Sequence, residues 1–248
     1  MNAPHAGQIL EVAETASTMD LAREFVLAGR TDLLGVRADF QTAGRGRRGA
    51  AWLAEPGEAL LMTYIVPLPM ALRNSIGRLS MIAGVASARA AREMTGAAVM
   101  LKWPNDLLLD GRKLGGILVE IPPAKEPTAL VGVGINVNTT VFPAALSGRA
   151  ASLRLHTGRE WDVRHLARLI GTFLLRQVET SWEECLGAWR ALDVSAGRRY
   201  AAIIEGAEEE AVTALAVEEN GALRVRRASG ECVAVESARG LQPGDSAA

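Results

Sequence analysis

The run Val131-Gly132-Val133-Gly134-Ile135-Asn136-Val137-Asn138 most narrows the folds open to this chain. In an extended strand successive side chains point to opposite faces, so Val131, Val133, Ile135 and Val137 share one face and Gly132, Gly134, Asn136 and Asn138 the other. The first face belongs to a core. The second is bare backbone ending in amides, which suits close approach of a ligand better than packing. It is not a dinucleotide-binding fingerprint, because the third glycine is missing and no helix start follows before Phe142-Pro143.

A second stretch, Gln41-Thr42-Ala43-Gly44-Arg45-Gly46-Arg47-Arg48-Gly49, alternates three arginines with three glycines. Glycine admits a ligand close to the backbone, and arginine forks bind phosphate or carboxylate oxygens in pairs. The segment reads as a polyanion cradle, with a solvated basic turn as the plain alternative. It lacks the Gly-Lys-Ser/Thr ending of a P-loop. A net charge of -1 and an aromatic content of 4% leave no broad basic face and few stacking platforms for nucleic acid.

A third stretch, Val99 to Leu109, reads as a strand interrupted by Pro104 and then resumed. Asp110-Gly111 follows as a two-residue hairpin turn. That turn pairs Leu109 with Arg112 and Leu108 with Lys113, placing Asp106, Leu108, Lys113 and Gly115 on one face and making Asp106 and Lys113 diagonal neighbours. Beside Gly115-Gly116, these two charges read as a site, or more plainly as a cross-strand ion pair.

The remaining chain supplies the frame. A polar lead runs to Glu14, where a helical stretch opens with Ser17 and Asp20 in a capping-box-like arrangement; Ser17 and Thr18 are then either an N-cap or a polar ligand anchor. Leu33 to Ala38 and Ala59 to Val66 read as strands on either side of the arginine loop, with Trp52 between them as core or as an apolar wall. Ser75 to Met94 is an Ala-rich helix, and Val163 to Leu192 is one long amphipathic helix or two in tandem. After Ser195-Ala196-Gly197 the pattern shortens into alternating runs with turns at Asn220-Gly221 and Ser229-Gly230, a small antiparallel β domain. The division falls at 1–194 and 195–248.

At 248 residues there is ample material for a large core. No apolar run reaches membrane-spanning length and no signal peptide is visible, so no membrane association and a cytoplasmic location are expected. Cys185 and Cys232 form no metal or disulfide pattern and are expected to be buried or half-buried thiols. His5, His156 and His165 have no metal-ligand spacing, and no protein metal site is expected.

Together, Ser17-Thr18, the Gly44-Arg45-Gly46-Arg47-Arg48-Gly49 loop, Lys102-Trp103-Pro104-Asn105-Asp106, Lys113-Leu114-Gly115-Gly116-Ile117-Leu118-Val119-Glu120 and Gly132-Val133-Gly134-Ile135-Asn136 resemble biotin protein ligases in order and spacing. The resemblance implies an α+β catalytic domain like that of class II aminoacyl-tRNA synthetases and biotin ligases, with a mixed, mainly antiparallel sheet, and a small C-terminal SH3-like β-barrel. It implies joining of biotin to ATP with Mg²⁺ as biotinyl-5′-AMP, then transfer to one lysine of a biotin carboxyl carrier protein. Carried over by position, Ser17, Thr18, Met19, Gln41, Gly115 and Gly116 form the biotin pocket, and Arg45, Gly46 and Arg47 fold over biotin and its adenylate. Lys113 holds the carboxylate and α-phosphate oxygens, and Asp106 orients Lys113 or the incoming amine. Lys102, Asn105, Arg45, Arg47, Arg48, Trp52 and Asn136 serve the nucleotide, with Asn136 on a phosphate or metal-bound water. The catalytic set is Lys113, Arg47, Asp106 and Lys102.

Two positions depart from the family pattern: Met19 stands where asparagine is common, and Ala50 where a basic residue is common. With only 16 residues ahead of Ser17, a monofunctional enzyme without DNA binding is expected. Homodimerisation by sheet extension stays open. The competing readings are a lipoate or octanoate ligase of related fold and a non-catalytic biotin or nucleotide sensor.

Overall fold

The computed structural model describes residues 7–30, 32–73, 75–204 and 208–240; His5 lies outside them. A seven-stranded sheet has the order β1-β2-β3-β7-β6-β5-β4. Its strands are β1 (Gln8–Thr15), β2 (Leu33–Gln41), β3 (Ala59–Pro67), β4 (Met100–Lys102), β5 (Asp106–Leu109), β6 (Arg112–Glu120) and β7 (Thr128–Asn136). Among the described strands of this sheet, only β1 and β2 pair in parallel. The sheet is thus mixed and mainly antiparallel, as expected.

Helices cover both faces. On one, α1 (Thr18–Leu27) packs Met19, Ala22 and Val26 on Val36, Ile65 and Leu130. On the other lie α2 (Ile76–Thr95), the short α3 (Leu153–Thr157), α4 (Val163–Glu179) and α5 (Trp182–Arg190). The long periodic stretch after Val163 is two helices, because Thr180 leaves the helical region and Ser181 caps α5 by accepting from Glu184 N at 3.2 Å. Small residues let α2 lie close: a Cβ on Gly84 would stand 2.9 Å from the ring of the fully buried Trp189.

A second, five-stranded antiparallel sheet comprises β8 (Arg199–Ile203), β9 (Glu209–Val217), β10 (Leu223–Arg226), β11 (Cys232–Val235) and β12 (Arg239–Gly240), in the order β11-β10-β9-β8-β12. Its end strands do not pair with each other among the described residues, so it is described as a sheet. Its Tyr200, Val212 and Leu223 join the same apolar cluster as Leu101, Leu107 and Trp189.

Four expectations need correction. The polar lead does not run straight into the helix: Gln8–Thr15 is an edge strand, so Glu14 and Thr15 belong to it, and its mostly exposed or half-exposed side chains hide the usual alternation. Pro104 does not merely interrupt a strand; residues 103–105 reverse the chain, so Lys102 pairs directly with Asp106. Ser17 occupies the N-cap position of α1 but makes no side-chain cap, and Asp20 does not complete a capping box, because its carboxylate bonds Arg23 and Arg45. Cys232 is exposed, while Cys185 is buried and its thiol is raised to about 11 by that burial.

Residues 192–195 strap the second sheet to β4 through Leu101 N–Leu192 O at 2.8 Å and Val194 N–Leu101 O at 2.9 Å. Within the strap Asp193 Oδ1 accepts from Ser195 N at 2.9 Å and from the Ser195 hydroxyl, whose oxygen accepts from Trp103 N at 2.7 Å. Burial raises the Asp193 carboxyl above its ordinary value despite these bonds. A raised native pKa means that the ionised form is disfavoured in the folded chain, so the cost appears above the unfolded value of about 3.9 and is complete once pH passes the native one. Asp193→Asn keeps the acceptor oxygen without the charge. We predict a higher urea midpoint than wild type at neutral pH and no gain near pH 3; a lower midpoint at neutral pH contradicts this.

Candidate active site

A cavity of about 550 Å³ opens where the hairpin of β5 and β6, the glycine face of β7, the N-terminus of α1 and the arginine loop meet. Its floor is backbone. On β7, a Cβ at Gly132 would stand 2.8 Å from Met19 Cε, and one at Gly134 would stand 2.9 Å from the Trp52 ring. Opposite Gly134 in the ladder is Gly116 of β6, over which the Lys113 side chain lies, with Nζ 3.7 Å from where a Cβ would be.

The hairpin turn forms as the sequence predicts: Asp110 and Gly111 take positive φ, Leu109 pairs with Arg112, and Leu108 pairs with Lys113. The register then slips. Leu107 pairs with Gly115, leaving Leu114 as a bulge, and Asp106 pairs with Gly116. The bulge corrects the expected face: Gly116 lies beside Asp106, whereas Gly115 turns toward Ile135 on the core side and does not line the cavity. Asp106 and Lys113 still meet, because Lys113 precedes the slip.

Asp106 bridges two ammonium groups, with Lys113 Nζ at 2.7 Å and Lys102 Nζ at 3.3 Å. The Lys113 side chain is 47% exposed against 16% for Asp106, so the lysine faces the opening while the carboxylate holds it from behind. Arg47 has no carboxylate within ion-pair distance. Its hydrogen bonds go to neutral oxygens, Asn105 Oδ1 at 3.4 Å and Ser237 Oγ at 3.2 Å, and burial together with the Arg48 charge holds it below the usual arginine value. A partly desolvated cation without a carboxylate partner is matched to an anionic ligand.

At the other end Gln41 Oε1 accepts from Thr18 N at 2.7 Å and from the Thr18 hydroxyl at 2.9 Å. Gln41 therefore caps α1, and the buried Ser17 hydroxyl faces the cavity without serving as a cap. Arg45 lines the cavity but forms a two-pronged pair with Asp20, whose carboxyl it holds below the usual carboxylate value. Arg48 reaches Glu209 at 3.6 Å. Among the described residues no group of three His, Cys, Asp or Glu side chains is placed to hold a metal.

Of the expected residues, Ser17, Thr18, Met19, Gln41, Arg45, Gly46, Arg47, Arg48, Trp52, Lys102, Asn105, Asp106, Lys113 and Gly116 line the one cavity. Asn136 does not: its amide donates to Ala151 O at 3.1 Å. The sequence reading missed Ala238, Arg239 and Gly240, which reach the cavity from β12 and the turn before it. Gly240 lies close to Lys102: a Cβ there would stand 2.6 Å from Nζ, so a larger residue would displace the lysine's tip. Position in the chain gave no signal, because these residues lie over 100 positions from the hairpin they cover. His156 pairs with Asp110 at 2.7 Å on the surface and His165 is exposed on α4, both away from the cavity.

Residues 12–138 match the biotin/lipoate A/B protein ligase family. This chain belongs to that family. The biotin--[acetyl-CoA-carboxylase] ligase of Mycobacterium tuberculosis is 31% identical over 230 residues, covering 87% of this chain and 82% of that protein. The bifunctional ligase/repressor BirA of Bacillus subtilis is 34% identical over 151 residues, and the match spans about half of its length, 46%. In structure, the biotin protein ligase of Aquifex aeolicus in complex with biotin and ATP superposes with a TM-score of 0.79 at 24% identity, covering 94% of this chain and 97% of that one. The family's fold is therefore present across both sheets.

The packing of Trp52 on Gly134 is a test of the glycine floor. Gly134→Ala is expected to cost about 1–3 kcal/mol through overpacking. Because the clash is with the indole, Gly134→Ala combined with Trp52→Ala should be no less stable in urea than Trp52→Ala alone; additive losses would contradict the contact.

Proposed function

We propose that this chain is an ATP-dependent biotin protein ligase that makes biotinyl-5′-AMP and passes the biotinyl group to a lysine of a biotin carboxyl carrier protein. The observation that carries the reading is the pairing of Lys102 and Lys113 with one carboxylate, Asp106, above a floor of glycine backbone, with Arg47 lining the same cavity without a carboxylate partner. A cavity of about 550 Å³ is within the usual range for small-molecule sites. We place the reaction in the cytoplasm, where ATP is available; no helix among the described residues is long and apolar enough to cross a membrane.

In the first step a biotin carboxylate oxygen attacks the α-phosphorus and the bond to the β-phosphate bridging oxygen breaks, releasing pyrophosphate. Both reactants are anions, so their approach is opposed until cations offset the charge. Lys113, at the opening, contacts the carboxylate and an α-phosphate oxygen. Arg47, poor in partners, takes further phosphate charge, and Lys102 and Asn105 sit on the nucleotide side with Arg48. Magnesium enters with ATP as part of the substrate, consistent with its preference for phosphate oxygens and water. Ser17, Thr18, Gln41 and Gly116 hold biotin, Met19 closes the pocket at Gly132, and Trp52 walls the adenine side.

In the second step the carrier's lysine amine attacks the acyl carbon, the bond to the phosphate oxygen breaks, AMP leaves, and the amine loses a proton. Asp106 orients that amine once the adenylate draws Lys113 away. The mixed anhydride is water-sensitive, so the 44–52 hairpin and the Ala238–Gly240 turn cover it. Residues 195–248 thus act as a second unit that completes the nucleotide side.

Intact mass of a biotin carboxyl carrier domain incubated with the chain and MgATP tests this, using biotin, lipoate and octanoate in parallel. A single biotinyl addition is expected, with little lipoyl or octanoyl addition, and Asp106→Asn is expected to slow single-turnover transfer by about 10- to 100-fold. Preference for lipoate or octanoate would move the chain to the other branch of its family. Adenylate formation without any transfer would make it a sensor.

A further inference from the structure

The cation at the root of the arginine loop is held by groups outside the cavity. Arg45 Nη1 meets Asp20 Oδ2 and Arg45 Nη2 meets Asp20 Oδ1, each at 2.5 Å, and Glu120 Oε1 stands 3.9 Å from Nη2. Arg23 links the two carboxylates, bonding Asp20 Oδ1 at 2.9 Å and Glu120 on its other nitrogen. The four side chains come from α1, the arginine loop and β6, and their charges balance. The two-pronged geometry uses two of the five N–H groups of the guanidinium and fixes its plane.

The loop needs such a clamp. Residues 44–52 form a narrow hairpin, closed by Trp52 N–Gly44 O at 2.9 Å and Gly46 N–Ala50 O at 2.7 Å, with only a single bridge between Arg45 and Ala51 to set its direction. An isolated two-stranded ribbon is marginally stable. Arg45 sits at its base, so a fixed guanidinium fixes the angle at which Gly46, Arg47 and Arg48 lie over the cavity. Asp20 itself does not line the cavity.

We propose that Asp20 is a positioning residue of the ligase reaction: by clamping Arg45 it keeps the 44–52 hairpin closed over the acyl adenylate and prevents escape of that intermediate before the acceptor lysine arrives. The inference rests on the ligase reading given above. It separates two effects that a general stabilising role would join. Asp20 is 40% exposed and Arg45 32% exposed, so the pair contributes little to global stability. Its effect is local, on the hairpin. Loss of the clamp therefore alters release of the adenylate, while the chemistry at Lys113 and Arg47 proceeds.

The experiment forms biotinyl-5′-AMP on the full chain from labelled biotin and MgATP, then follows its release into solution by filter binding. Asp20→Asn and Asp20→Ser are each expected to release adenylate about tenfold faster than wild type, since removing one partner of a charge pair acts mainly on off-rates. Their melting midpoints and their ATP–pyrophosphate exchange at saturating biotin should stay within about twofold or a few degrees of wild type. Asp20→Glu, which returns two acceptor oxygens, should restore most of the retention. Release unchanged in both variants, or losses that track melting midpoint alone, overturns the proposal. If wild type forms no adenylate from biotin, the ligase reading fails and takes this inference with it; intact formation with unchanged release removes this inference alone.

Discussion

A single carboxylate between two lysines, Asp106 with Lys102 and Lys113, is the interaction on which the site depends. Because Lys113 is half exposed, this interaction adds little to global stability. Its larger consequence is placement. Two ammonium groups that would repel each other in the open are held side by side at the edge of a cavity, and the carboxylate between them fixes their direction. The chain reversal at 103–105 and the Asp110-Gly111 turn bring these three residues together from within 12 positions of sequence.

Around that centre the fold is arranged to admit a ligand against backbone. The central strands β6 and β7 are apolar on the face that packs on α2, and on the other face they carry Gly116, Gly132 and Gly134 at the cavity, where Gly116 faces Gly134. Side chains are then supplied from elsewhere: Met19 from the start of α1, Trp52 from the end of the arginine loop, and Arg239 from the second sheet. The second sheet is therefore not an appendage. It shares the core cluster through Tyr200 and Leu223, is strapped to β4 by residues 192–195, and offers Ser237 to Arg47 and Arg48.

Local rules made much of this legible in the sequence. The two-residue turn fixed the pairing of Leu108 with Lys113, and strict alternation separated the two faces of β7. The failures have physical reasons. A bulge at Leu114 has no sequence mark apart from the glycines beside it, yet it exchanges Gly115 for Gly116 on the site face. Asn136 follows the correct face but is taken by Ala151, a partner supplied by a distant loop. Ser17 and Asp20 have capping-box spacing, and tertiary charges diverted Asp20 to Arg45 while Gln41 took over the cap. Contacts made across the long interval to β12 carry no local signal at all.

Biotin-dependent ATP–pyrophosphate exchange by the purified chain, compared with Lys113→Ala, tests the central claim most directly. The account predicts exchange that requires biotin and falls by at least about a hundredfold in the variant, because the lysine contacts both reacting anions. Exchange that is independent of biotin, or that survives unchanged in Lys113→Ala, would contradict it.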